Sequence, residues 1–160
     1  MPIKLLKSET ALEDIQDHLK EYDLVGSPVE SYLAQFLVVV FSSEIEDIVR
    51  VLTQEKVRSL GGEKLIPFFE SMSKKLLRSV QKSELSGYLG NFGEDVKQDF
   101  KHGCDDNDVR LFDIVIRARH RVSHTTGTQV SLNDVVQGID AGHRIMGAFE
   151  SALLGTASDE

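Results

Sequence analysis

Apolar side chains recur along this chain at spacings of three and four residues, the period of a helix with one buried face. The first such stretch puts Leu12, Ile15 and Leu19 on one face behind the capping signal Ser8-Glu9-Thr10-Ala11-Leu12, which predicts a helix over residues 9–22. Gly26-Ser27-Pro28 then breaks and restarts the chain, with Ser27 as N-cap and Pro28 at the first helical position. From there to Thr53 the period runs through Leu33, Phe36, Leu37, Val40, Phe41, Ile45, Ile48, Val49 and Leu52. The run Leu37-Val38-Val39-Val40-Phe41 alone reads as a strand. No turn signal bounds it and the helical period continues on both sides, so helix prevails.

Gly61-Gly62 marks a connection, and a third helix is predicted over residues 63–80, with Pro67 in its first turns. Residues 83–105 are the least regular: a glycine-punctuated turn from Ser86 to Gly93, then a short helix from Glu94 to Lys101. Asp105-Asp106-Asn107-Asp108 is a strong helix start, because acidic side chains accept the free N–H groups and complement the dipole. That helix is expected to end at Thr125-Thr126-Gly127. Ser131 caps a last helix over 132–154, and the tail 155–160 is expected to fray. Strand patterns, repeats and a second-domain boundary are absent. The prediction is one all-α domain, an up-and-down bundle of about five or six helices, with its core between residues 28 and 154.

Composition narrows the function. A chain of 160 residues buries a core without metal or disulfide staples. Its net charge of −8 argues against coating long DNA or an anionic membrane, but leaves room for a small basic site. Cys104 is the only cysteine, so an intrachain disulfide and a cysteine-based zinc cluster are excluded. The longest apolar run, Phe36 to Phe41, is far short of the ~20 residues that span a bilayer, and the N-terminus lacks a secretory apolar region. A soluble cytoplasmic protein without membrane association is expected.

Within that acidic chain, four of the eight arginines (Arg110, Arg117, Arg119, Arg121) lie within twelve residues, and His120 and His124 share the stretch. Arginine offers phosphate a permanently charged, two-pronged hydrogen-bonding fork, and histidine moves protons near neutral pH. Together they suffice for metal-free phosphodiester cleavage. Two other readings compete. Charged residues near a helix C-terminus often only complement its dipole and cover apolar surface. His120 and His124 also have the four-residue spacing of a metal chelate, with His102, Cys104, His143 or an acid as third ligand. No metal and no cofactor are expected here.

The segment from Leu111 to Thr125 resembles the defining motif of HEPN domains, in which an Arg is followed by a polar residue, three further residues and a His. Arg119, His120 and His124 occupy those positions. The apolar helix before them, the Gly-containing turn after them and the capped helix Ser131-Leu132-Asn133-Asp134-Val135-Val136 match the context. The segment Phe41-Ser42-Ser43-Glu44-Ile45-Glu46-Asp47-Ile48-Val49 resembles the acidic helix of the branch related to RiboL-PSP HEPN proteins. The resemblance covers residues 28–154, although only the short motif is specific. It departs from the commoner pattern at His120, where Asn is usual.

What the resemblance implies is a metal-independent endoribonuclease of toxin–antitoxin or other defence systems, acting as a homodimer whose motif helices face each other across an RNA cleft, with an antitoxin or other protein as a further partner. Geometry adds to this: Arg119 and His124 lie about 140° apart around a regular helix, which favours a site completed by a second copy. In the expected mechanism Arg119 clamps the scissile phosphate, and His124 is the base for the ribose 2′-OH or the acid for the leaving oxygen. His120 orients the substrate or takes the complementary proton. Arg117, Arg121 and Ser123 are expected to bind substrate, and Glu46 to pair with a motif arginine and orient it. A solvated face explains the series Glu44, Glu46, Asp47 equally well. Tyr88 and Phe92 are expected to pack under the glycine-rich turn, and Cys104 to be incidental. The alternative function is a catalytically silent helical module that binds a protein partner or nucleotide.

Overall fold

The computed structural model of the chain describes residues 3–122 and 130–155, apart from the side chains of His120, Arg121 and Val122. Its helices are α1 (Leu6–Glu21), α2 (Pro28–Ser59), α3 (Ile66–Leu76), α4 (Lys82–Leu89), α5 (Glu94–Gly103), α6 (Asp106–Val122) and α7 (Leu132–Leu154), with a 3₁₀ turn at Glu63–Leu65. No strand occurs among the described residues, and the fold is an all-α bundle. The described helices number seven rather than five or six. None is long and apolar enough to cross a membrane.

α2 is the axis. α1 doubles back along it through a turn in which Asp23 and Gly26 both take left-handed backbone (φ 52° and 78°), so that Lys7 meets Asp47. The start of α1 differs from expectation. Ser8 is not the cap but lies buried in the first turn, and the cap comes from α2. The Glu44 carboxylate, 6% exposed, accepts hydrogen bonds from Lys7 N (2.9 Å), Ser8 N (2.8 Å) and the Ser8 hydroxyl (2.6 Å). It thereby satisfies N–H groups that the first turn leaves free, and its charge complements the dipole.

α2 continues past Thr53 to Ser59 because Val57 buries one further turn. It ends where Gly61 adopts φ 71° and Gly62 N donates back to Val57 O at 3.0 Å, a glycine stop of the Schellman type. The third helix is shorter than the 63–80 expected: the 3₁₀ turn precedes Ile66, and the chain leaves helix after Leu76. α4 occupies a stretch whose glycines predict an irregular turn. Burial of Leu85, Tyr88 and Leu89 on one face holds it helical despite Gly87, and Asp113 Oδ1 accepts the Lys82 N–H at its start (2.9 Å).

α6 and α7 form the other half of the core. The Asp105 carboxylate caps α6 by accepting from Asn107 N (2.9 Å) and Asp108 N (3.2 Å), and Ser131 with Asp134 forms a capping box on α7. Gly138 of α7 sits against Val115, and Arg144 bonds Asp108, so α7 runs antiparallel to α6. Gly142 lets α7 press against α2: a Cβ there would lie 2.8 Å from the Phe41 ring. Phe41 meets Phe112 edge to face at 5.8 Å, and Phe100 of α5 meets Phe149 of α7 at the same distance. Leu5, Ile15 and Leu19 belong to this same core, so the N-terminal helix is integral to it. The expected helix end at Thr125-Thr126-Gly127 and the tail 156–160 lie outside the described residues.

Candidate functional site

α6 buries Phe112, Val115, Ile116 and Ala118, together with Asp113, which leaves its arginines at the margins of that face. Arg117 and Arg119, two residues apart, leave the helix about 160° from each other. They are accordingly not brought together. Arg117 turns toward α4, where its Nε donates to Gln81 Oε1 (3.1 Å) and its Nη2 lies 3.6 Å from Asp113 Oδ2. Arg119 turns toward α2, where its Nη1 donates to Glu46 Oε1. The Arg119 side chain is 36% exposed, so part of its fork faces solvent. His120 and Arg121 continue the helix, but their side chains lie outside the described residues, as do Ser123 and His124 entirely.

The series Glu44, Glu46, Asp47 is not a plain solvated face, because each carboxylate has a separate partner. Glu44 caps α1, Glu46 takes Arg119, and Asp47 accepts from Lys7 Nζ (2.8 Å) and Arg50 Nη2 (3.1 Å). Those two hydrogen bonds hold the Asp47 carboxyl below its ordinary range, the Lys7 bond being the larger influence. The same contact raises the Lys7 ammonium.

A cleft of about 350 Å³ opens beside the Arg119–Glu46 pair, between α2 and α3. Glu46, Asp47, Val49 and Arg50 line it from α2; Glu70, Ser73 and Lys74 line it from α3, with Leu77 just beyond. Sequence reasoning missed this second wall. Residues 56–78 hold six Lys or Arg against two acids, a basic tract that counting arginines alone does not reveal. Lys74 makes no ion pair among the described residues, whereas Glu70 accepts from the Gln54 side-chain amide.

The aromatic residues nearby are structural. Tyr88 is buried, its hydroxyl between Thr53 Oγ1 (2.9 Å) and Ser73 Oγ (2.7 Å), which ties α4 to α2 and α3. Phe92 packs between Phe69 and Tyr88. Burial pushes the Cys104 thiol up to about 11, leaving little of the reactive thiolate at neutral pH. Both ring nitrogens of His143 have partners, Ile3 O at 3.1 Å and Glu9 Oε1 at 3.0 Å. Among the described residues no three His, Cys, Asp or Glu side chains converge on a metal-sized site. A larger groove of about 790 Å³ between α1 and α2 includes Leu6, Ala11, Ile15, Leu33 and Phe36 in its lining, which carries no arginine.

Comparison of this chain with protein-family models, with curated proteins and with solved structures finds no match.

Proposed function

We propose that the protein is a metal-independent endoribonuclease whose reaction centre lies at the C-terminal end of α6. The observation that carries this reading is the Arg119–Glu46 pair. A guanidinium has five N–H donors, and a carboxylate engaging part of that fork fixes its orientation while leaving donors for a phosphate. Orientation before substrate arrives is what lets charge stabilisation lower a barrier. Arg119 also stands on a helix packed into the core, a more exact support than a loop.

In this reading Arg119 holds the non-bridging oxygens of the scissile phosphate. His124 takes the proton of the ribose 2′-OH as that oxygen attacks phosphorus, and His120 gives a proton to the departing 5′-oxygen. The P–O5′ bond breaks as the P–O2′ bond forms, leaving a 2′,3′-cyclic phosphate and a 5′-hydroxyl. The two histidines exchange these roles in the alternative proton assignment. A second copy of the chain completes the cleft with its own motif, and a protein antitoxin is the kind of partner that restrains such an enzyme. We place its action in the cytoplasm, where a lone thiol such as Cys104 stays reduced.

The test is cleavage of mixed RNA by the purified protein in EDTA. Activity that persists in EDTA and disappears in both Arg119→Ala and His124→Ala is the expected result; full activity in either variant refutes the mechanism. Glu46→Gln is expected to lower kcat about tenfold by loosening Arg119, about 1.4 kcal/mol of barrier. Because the same pair also ties α6 to α2, it favours one other reading, a silent module that binds a protein partner or nucleotide. Absence of cleavage with the fold intact assigns the protein to that class.

A further inference from the structure

The cleft between α2 and α3 has features that the cleavage chemistry does not use. It begins at Glu46, the residue that holds Arg119, so whatever enters it lies beside the group held by that arginine. Its volume of about 350 Å³ is at the small end of ligand sites, enough for one nucleotide and not for a long ligand. Two of its three carboxylates are engaged by cations, Glu46 by Arg119 and Asp47 by Lys7 and Arg50. The lining itself holds three carboxylates and two cations, Arg50 and Lys74. Lys74 stands on one wall with no ion-pair partner among the described residues, and Lys75 and Arg78 follow it in the chain. In a chain of net −8, the α3 side of the cleft is thus a basic rim.

We infer that this cleft is a nucleotide subsite, which seats the nucleotide adjacent to the phosphate held by Arg119. Lys74 and Arg50 meet that nucleotide's own phosphate as point charge and fork. Leu77 offers its base apolar contact. Glu70 sets the preference. One of its oxygens accepts from Gln54, and the other has no hydrogen-bond partner among the described residues. A carboxylate oxygen at the edge of a base pocket accepts from an exocyclic amino group, as acidic side chains do from cytosine N4. The subsite therefore favours bases that carry such an amino group, cytosine over uracil among pyrimidines. This deepens the ribonuclease reading and rests on it for the position of the cut.

Binding tests it independently of cleavage. Inorganic phosphate, CMP and UMP are titrated into the His124→Ala protein and followed by amide chemical shifts. CMP is expected to bind more tightly than phosphate or UMP, with shifts in α2 and α3. Lys74→Glu is expected to weaken CMP binding about tenfold or more, as loss of a charge-assisted contact and gain of a repulsive one imply. Glu70→Gln is expected to narrow the preference for CMP over UMP. Lys74 is exposed and α3 has no buried residue, so both variants keep the helical content of the parent, checked by circular dichroism. CMP binding no tighter than phosphate binding, or unchanged by Lys74→Glu, overturns the subsite. RNA cleavage with cut-site preference untouched by Glu70→Gln also overturns it while sparing the ribonuclease. Nucleotide binding in the cleft of a protein that cuts no RNA supports the subsite and removes the ribonuclease.

Discussion

α7 and α3 are both amphipathic by sequence, yet they meet opposite fates. α7 buries nine residues and fits against α2 and α6 through Gly138 and Gly142; α3 buries none. α3 turns Phe69 inward toward Phe92 but leaves Phe68 and Leu76 exposed, beside Lys74 and Lys75. Periodicity thus reports that a helix has an apolar face, not that anything covers it. The difference matters for the proposed site. Arg119 stands on the tightly packed frame, while the basic wall opposite it is fastened by the Phe69–Phe92 contact and a few polar ties, the arrangement expected where a ligand must be admitted.

The sharpest way to break this comparison uses one residue type in both regions. Phe41 is fully buried against Phe112 and Gly142, and Phe41→Ala is expected to cost about 3–5 kcal/mol. Phe68 is 57% exposed on α3, and Phe68→Ala is expected to stay within about 0.5 kcal/mol. Urea denaturation of the two variants measures both. Similar losses would mean that α3 is as much part of the core as α2, and the contrast would fall.

Glycine within a single helix gives a second contrast. At Gly142 a Cβ would meet the Phe41 ring at 2.8 Å and Leu5 at 3.0 Å, so Gly142→Ala is expected to destabilise by about 1–3 kcal/mol despite the better helix former. At Gly147 nothing lies within 4 Å, and Gly147→Ala is expected to stabilise by about 0.5–1 kcal/mol. Opposite shifts in Tm are the expected outcome. Shifts of one sign would show that propensity, not close approach, decides at both positions.

The tie between frame and basic wall is open to a smaller test. Thr53 donates to Val49 O and Ser73 to Phe69 O, and the Tyr88 hydroxyl of α4 stands between the two with one proton to give to either. Tyr88→Phe keeps the ring and removes that link, at about 1 kcal/mol. Hydrogen exchange is expected to quicken in α3 and α4 and to stay unchanged in α6 and α7. Uniform loss of protection would mean that the wall and the frame open as one unit.

These contrasts also explain what was legible in the chain beforehand. α7 could be read to the residue because its cap at Ser131, its apolar period and its stop at Gly155 are all local. α4 could not, since its start is satisfied by Asp113, thirty-one positions away. The true start of α1 was hidden likewise, its cap Glu44 lying thirty-six positions from Ser8. The arginine-rich end of α6 was visible to simple counting. Pairing Glu46 with a motif arginine was one of two open readings, and the 73 positions between it and Arg119 gave no local signal to choose. The α3 wall was overlooked because its charge is mostly lysine, spread over three turns and a loop.

The smallest effect concerns the fastening of α6 to α7 and depends on pH. Arg144 reaches Asp108 with two hydrogen bonds of 2.7 Å, and the carboxylate is 12% exposed against 58% for the arginine. The bond to Arg144 holds the Asp108 carboxyl below its ordinary range. A folded-state pKa lowered in this way stabilises the fold at every pH above the unfolded aspartate value of about 3.9. That contribution begins to fall as pH drops past this value and vanishes once Asp108 is protonated in the folded protein. With half of the pair open to water, its worth is about 1 kcal/mol or less. Arg144→Ala is therefore expected to lower stability slightly at pH 7 and to close the gap to the parent as pH falls below the ordinary aspartate range, as read by urea midpoints. Its loss should appear as faster exchange in α6 and α7 and not in α3. A deficit that persists unchanged into acid would mean that Arg144 acts by packing its stem and not through its charge.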